Sequence, residues 1–289
     1  VGCIPWYRPG FAGNFVPSGV LEQIWKETPV PGLKIAIQLA SLKQNFRKAL
    51  ATAAELGASA VEIEARGEIN AQTISNTGLR DLRRMLGDYD LRVSAVSFIT
   101  RRGYDDPEEI ERRVAATKNV MKFAHGVGAG VVVNHFGLIT HEENTVNWKL
   151  LIEVLTDIGM YGHQVGARLC GQTGLESGAD LKRLLDALPK ASVGVDLDPG
   201  NLIVGGFSPL EVIDQVGDNI LHVHATDGVQ DRVKGRGLNV QLGRGMADYP
   251  NLLAALERFR YSGYFTLSRD RSENPPLELG IGVKFLKKL

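Results

Sequence analysis

The sequence predicts a closed (β/α)8 barrel over residues 33–289. Three observations predict it: short β-branched runs recur along this stretch, an amphipathic helical segment follows each, and eight rounds are completed with no long linker between them. The runs are Leu33–Leu39, Ser59–Glu64, Leu91–Phe98, Gly130–His135, Ala167–Gln172, Ser192–Asp198, Ile220–Ala225 and Tyr264–Ser268. An open doubly wound sheet would share this content. No GxGxxG follows the first run, so the dinucleotide-binding version of such a sheet lacks its marker.

The helical segments carry their own punctuation. Asp106, followed by Pro107, Glu108 and Glu109, reads as an N-cap, a first-turn proline and acids at the positive helix end. Ser208, Pro209 and Glu211 fit a capping box. Leu181, Leu184, Leu185 and Leu188 put one apolar stripe on the segment Asp180–Leu188. Residues 1–32 are rich in Gly, Pro and aromatics without sustained periodicity, and read as an N-terminal arm ahead of a single barrel domain.

A chain of 289 residues with 44 % apolar and 23 % charged residues can bury one large core. Lys plus Arg equals Asp plus Glu at 33 each, so no net field draws the chain to nucleic acid or anionic lipid. Cys3 and Cys170 form no disulfide framework or zinc-ribbon spacing, which points to a reducing, cytoplasmic setting. No apolar run reaches the roughly 18 residues of a membrane-spanning helix. The expected partner is a small molecule, with a homo-oligomer left open.

Side chains alternate across a strand, so one parity faces the helices and the other the lumen. Val193, Val195 and Leu197 belong against the helices, which turns Asp196 and Asp198 inward. The same count sends Glu62, Glu64, Cys170, Gln172, His222, His224, Thr266 and Ser268 into the lumen. The last inward residue of each strand lies at the C-terminal mouth, where barrel proteins keep their chemistry. Glu64, Gln172, Asp198, His224 and Ser268 are therefore expected to converge there with His135. Glu62 and Asp196 fall one layer lower, where a structural and a site reading both stand; His222 reads as a core imidazole, and His125, His141 and His163 read as solvated.

Several motifs resemble a known family. DLDPGN (Asp196–Asn201) resembles the Asp-x-x-His or Asp-x-x-Asn turn ending strand six of the xylose-isomerase-like TIM barrels, sugar and sugar-phosphate isomerases and epimerases among them. HVHATD (His222–Asp227) is similar to their His-x-Lys-Asp ending of strand seven. The likeness extends over residues 33–289, through VEIEARGE around Glu64, TRRGYD at Thr100–Asp105 and the glycine-rich Gly235–Pro250. It implies a divalent ion (Mn²⁺, Mg²⁺ or Zn²⁺) held by a Glu, an Asp, a His and a Glu ending strands five to eight. Those positions are Gln172, Asp198, His224 and Ser268. Asp198 and His224 match, Gln172 is at best a weak neutral ligand, and Ser268 supplies no anion, so the implied metal site is degenerate.

Glu64, His135 and His224 are the candidates for proton transfer, and Arg102, Asn201 and Ser268 the expected substrate contacts. Thr226 stands where the family often has Lys. Three functions remain open: a sugar or sugar-phosphate isomerase or epimerase; a carbohydrate-binding pseudoenzyme; or a lyase or dehydratase on an oxidised sugar. The three-zinc DNA-repair relatives of this fold stand last, given the lost carboxylates and zero net charge.

Overall fold

In the computed structural model, which describes residues 32–140, 142–231, 236–269 and 271–289, eight parallel strands close on themselves. They are β1 (Lys34–Gln38), β2 (Ala60–Glu64), β3 (Arg92–Ser97), β4 (Val131–Asn134), β5 (Arg168–Gln172), β6 (Gly194–Leu197), β7 (Ile220–Ala225) and β10 (Tyr264–Leu267). The order around the barrel is β1-β10-β7-β6-β5-β4-β3-β2. Each lies within the run predicted for it. A short antiparallel pair, β8 (Asp227–Val229) with β9 (Leu238–Val240), stands apart from the barrel. The N-terminal arm, Cys3 and His141 lie outside the described residues. Among the described residues no helix is long and apolar enough to cross a membrane.

The helices are α1 (Phe46–Glu55), α2 (Asn76–Asp88), α3 (Ile110–Gly126), α4 (Val146–Val165), α5 (Gly178–Asp186), α6 (Pro199–Gly205), α7 (Pro209–Val216), α8 (Tyr249–Arg258) and α9 (Pro275–Leu286). Most start where a short polar side chain accepts from the backbone three residues on, as Asn45, Ser75, Thr145, Ser177 and Ser208 do. The cap expected at Asp106 is different. Its carboxylate accepts from Glu108 N at 2.8 Å, and α3 begins only at Ile110, after Glu109 turns left-handed at φ 52°. The local Asx turn has competed with the helix for those amides.

Between barrel and helices lies the apolar core, with Ile37, Val61, Leu169, Val195 and Val223 of the strands against Leu50, Met121, Leu155 and Val212 of the helices. The opposite parity fills the lumen with Glu62, Ser94, Asp196, His222, His224 and Thr266, all 6 % exposed or less. A polar lumen at such burial requires partners for each group, and those partners shape the site.

Candidate functional site at the barrel mouth

Asp196, on β6, is the hub of the lower layer. Its Oδ1 accepts from His222 Nδ1 at 2.8 Å and its Oδ2 from His224 Nδ1 at 2.6 Å. Across the lumen Glu62, on β2, takes Gln38 Nε2 on Oε1 at 2.8 Å, while its Oε2 stands 3.0 Å from His224 Nε2. Burial raises the carboxyls of Asp196 and Glu62, but the His224 and His222 rings beside them outweigh it and hold both below the ordinary range. For His224, burial works against the charge, yet Asp196 and then Glu62 keep its ring protonated well above the ordinary histidine value. Thr266, on β10, bonds His222 Nε2 at 2.7 Å.

One layer up, Asp198 ends β6 and caps α6. Oδ1 accepts from Asn201 N at 2.9 Å and from the Thr226 hydroxyl; Oδ2 accepts from Gln172 Nε2 at 2.9 Å and Asn201 Nδ2 at 2.8 Å. Neutral donors fill the carboxylate, and burial pushes its pKa up to about 6. Beside it Asp227 gathers the backbone N–H groups of Gly228, Gly243, Gly245 and Ala247, which folds the glycine-rich segment onto the barrel rim. A Cβ at Gly245 would fall 2.2 Å from Asp227 Oδ1, so only glycine fits there.

A cavity of about 700 Å³ opens on the C-terminal side of the barrel over β3 to β5, lined by Arg101, Arg102, Asp105, His135, Glu176 and Phe207 among others. Asn134 builds its wall. Buried at the end of β4, it accepts from Thr100 N at 3.0 Å and donates to Tyr104 Oη at 2.9 Å, while Tyr104 N bonds Phe136 O at 2.7 Å. The loops after β3 and β4 are thereby tied together. His135 Nε2 lies 2.7 Å from Thr100 O. A carbonyl only accepts, so with that hydrogen bond made the proton sits on Nε2 and the lone pair on Nδ1. Burial pushes the Glu176 carboxyl above the ordinary value, outweighing the Leu175 N–H that bonds it at 3.1 Å.

The structure thus separates residues that parity had gathered. Of the expected mouth set, His135 lines this cavity; so does Arg102, an expected substrate contact, which is paired to Asp106 and Glu108. Glu64 is exposed beside a cavity of about 120 Å³ with Gln44 and Glu68. Ser268 is half-buried in a cleft with Arg269 and Glu278. Asn201 serves Asp198 and receives Asn239 Nδ2 at 3.1 Å. His224 turns down to Glu62 and Asp196 rather than up to Asp198. His125 and His163 are exposed. Asn134 had no site role in the sequence reading, yet it was findable: a polar residue closing the run Val131–Val133 must find buried partners.

The four positions corresponding to the family's metal ligands do not fit a shared ion. Asp198 has its acceptor sites filled, Gln172 donates to it, Ser268 lies in another cleft, and both His224 nitrogens face the layer below. Metal-ligand spacing occurs instead in that lower layer, where Glu62, His222 and His224 each offer one atom, all within 4.8 Å of one another.

A closed parallel barrel with a polar cavity at its strand C-termini is the architecture in which barrel proteins bind and transform small molecules. The chain belongs to the xylose isomerase-like TIM barrel family, whose sequence profile matches residues 50–289. It is similar to the inosose dehydratase of Clostridium beijerinckii, 23 % identical over 223 residues that span 66 % of this chain and 73 % of that protein. Among solved structures, a xylose isomerase domain protein from Planctomyces limnophilus superposes with a TM-score of 0.79 at 21 % identity, covering 89 % of this chain and 97 % of that one. A xylose isomerase-like TIM barrel protein from Mycobacterium smegmatis, solved in complex with magnesium, gives 0.69 at 20 % identity, covering 89 % and 96 %. At these identities the structural likenesses establish the fold alone.

Proposed function

We propose that the chain is a dehydratase acting on a small oxidised carbohydrate, a keto sugar or keto-cyclitol, in the cavity over β3 to β5. The observation that carries this reading is His135, whose Nε2 is committed to Thr100 O and whose Nδ1 is left as a base in the cavity wall. Nδ1 takes the proton next to the substrate carbonyl. The C–H electron pair becomes the new C=C bond as the bond to the β-hydroxyl breaks. Glu176, biased toward its acid form by burial, protonates the departing oxygen to water. Solvent then takes the His135 proton and returns one to Glu176. Arg101, without an ion pair among the described residues, is placed in the same wall to hold the carbonyl oxygen as charge develops.

Two points favour a dehydratase over an isomerase or epimerase. Gln172 and Ser268 stand where the family's two glutamates would flank the substrate carbon, and neither titrates. The curated relatives are named inosose dehydratases. The test is incubation with inosose and with keto-hexoses, following enone absorbance and water release. Turnover should fall about 10²- to 10⁴-fold in His135→Gln and in Glu176→Gln, with melting temperatures unchanged. Turnover that survives both substitutions rejects these roles. Substrate binding without any turnover makes the chain a pseudoenzyme.

A further inference from the structure

We propose that Glu62, His222 and His224 bind one zinc-class divalent ion inside the barrel, a layer below the mouth and separate from the cavity at its rim. Two buried atoms carry the inference. Glu62 Oε2 and His224 Nε2 face each other at 3.0 Å as an ion pair, yet the pair lacks hydrogen-bond geometry and neither atom has a hydrogen-bond partner elsewhere. At 0 to 2 % exposure an ion pair without a hydrogen bond leaves part of its desolvation cost uncompensated. A cation between them satisfies both at once.

The surroundings are arranged for it. Asp196 takes the Nδ1 hydrogens of both imidazoles on its two oxygens, which leaves both Nε2 atoms to act as ligands. A carboxylate behind each metal-binding histidine is the usual support that fixes tautomer and ring plane. Gln38 does the same for Glu62, pinning Oε1 and presenting Oε2. His222 Nε2 lies 4.0 Å from Glu62 Oε2. The separations of 3.0 and 4.0 Å straddle the roughly 3.4 Å edge of a tetrahedron with bonds of ~2.1 Å. His222 Nε2 must exchange its Thr266 contact for the ion, and the Thr266 hydroxyl already has Ser94 Oγ at 3.1 Å to turn to.

Charge and donor type agree. Once the ion displaces the His224 Nε2 proton to solvent, two carboxylates and two neutral imidazoles around a 2+ ion sum to zero, and two nitrogens with one oxygen suit zinc over magnesium or manganese. The opposite pole is the side from which an ion would enter. A cavity of about 580 Å³ at the N-terminal ends of β3, β4, β7 and β10 is lined by Ser94 and His222. The ion would clamp β2 to β7 across the lumen, a stabilising role at the end of the barrel away from the chemistry.

The experiment is refolding from denaturant with equimolar Zn²⁺ or with Mg²⁺, desalting, and metal analysis, alongside melting curves and Co²⁺ substitution. The expected result is about one zinc per chain with a raised melting temperature, no such gain with Mg²⁺, and tetrahedral Co²⁺ absorption bands. Glu62→Gln and His222→Gln should each lower zinc affinity by at least about 10-fold, while Asp198→Asn, at the position matching the family ligand, leaves it unchanged. Zinc content near zero, or equal in Glu62→Gln and parent, overturns the proposal. Should the variants not fold, the Co²⁺ spectrum of the parent decides, because the absence of tetrahedral bands overturns it equally.

Discussion

Asp196 and Asp198 sit two residues apart on the lumen side of β6 and its end, both 2 % exposed or less, yet they titrate in opposite directions. Burial alone would raise both. Asp196 faces two imidazoles and is held below the ordinary range; Asp198 faces amide and hydroxyl donors and rises to about 6. Two residues of equal burial are therefore distinguished by whether their partners can carry charge. The pH dependence follows with opposite sign. Asp196 contributes stability above its unfolded pKa that is lost as pH falls through the lower folded one. Asp198 binds its proton more tightly when folded, so the folded state gains as pH falls from about 6 toward its unfolded value near 3.8.

The sharpest way to break this contrast is Asp196→Asn. Its amide N–H₂ opposes one Nδ1–H and strands a buried imidazole, and urea unfolding at neutral pH should show a loss of about 3 to 5 kcal/mol. A loss under about 1 kcal/mol would mean that the histidines have other partners. Asp198→Asn addresses the other half. Between pH values of about 4 and 6 the parent should lose up to roughly 3 kcal/mol of stability from this one carboxyl, at about 1.4 kcal/mol per unit. The variant should lack that slope, so the difference between variant and parent urea midpoints must widen with pH. A constant difference would show that Asp198 stays ionised throughout. Thr266→Val is the mildest probe. It removes the hydroxyl from His222 and should cost about 1 kcal/mol without altering either pH profile.

The eight strands were legible because β-branched runs and helix caps are local signals, and the lumen parity was legible because the apolar partners of each strand leave no choice. The pairing of the inward groups was not. Parity says that His224 points inward, but not whether it meets Asp196 or Asp198, since that depends on side-chain direction and on the register shift between Val195 and Asp196 against β7. The sequence did hold a clue. Asp198 followed by Pro199 is the same N-cap and first-turn proline pattern as Ser208 with Pro209, and a capping carboxylate has already spent an acceptor on its helix. Glu64 shows the other limit. As the terminal residue of β2 it has the lumen parity but stands exposed, with no further strand to hold it inside. Glu176 marks a different limit, because its place in the cavity wall is set by the loop after β5 and not by strand alternation.

Asn134 ties the loop after β3 to the end of β4 through Thr100 and Tyr104, and Tyr104 in turn bonds Thr117 of α3 at 2.8 Å. A segment without secondary structure is thus fastened to the barrel as firmly as a strand. The amides of Thr100 and Tyr104, though in a loop at the rim, should exchange with solvent deuterium as slowly as core strand amides, since opening either requires dismantling the buried Asn134 network. A small ligand then meets a wall that is already ordered and gives up little chain entropy there on binding.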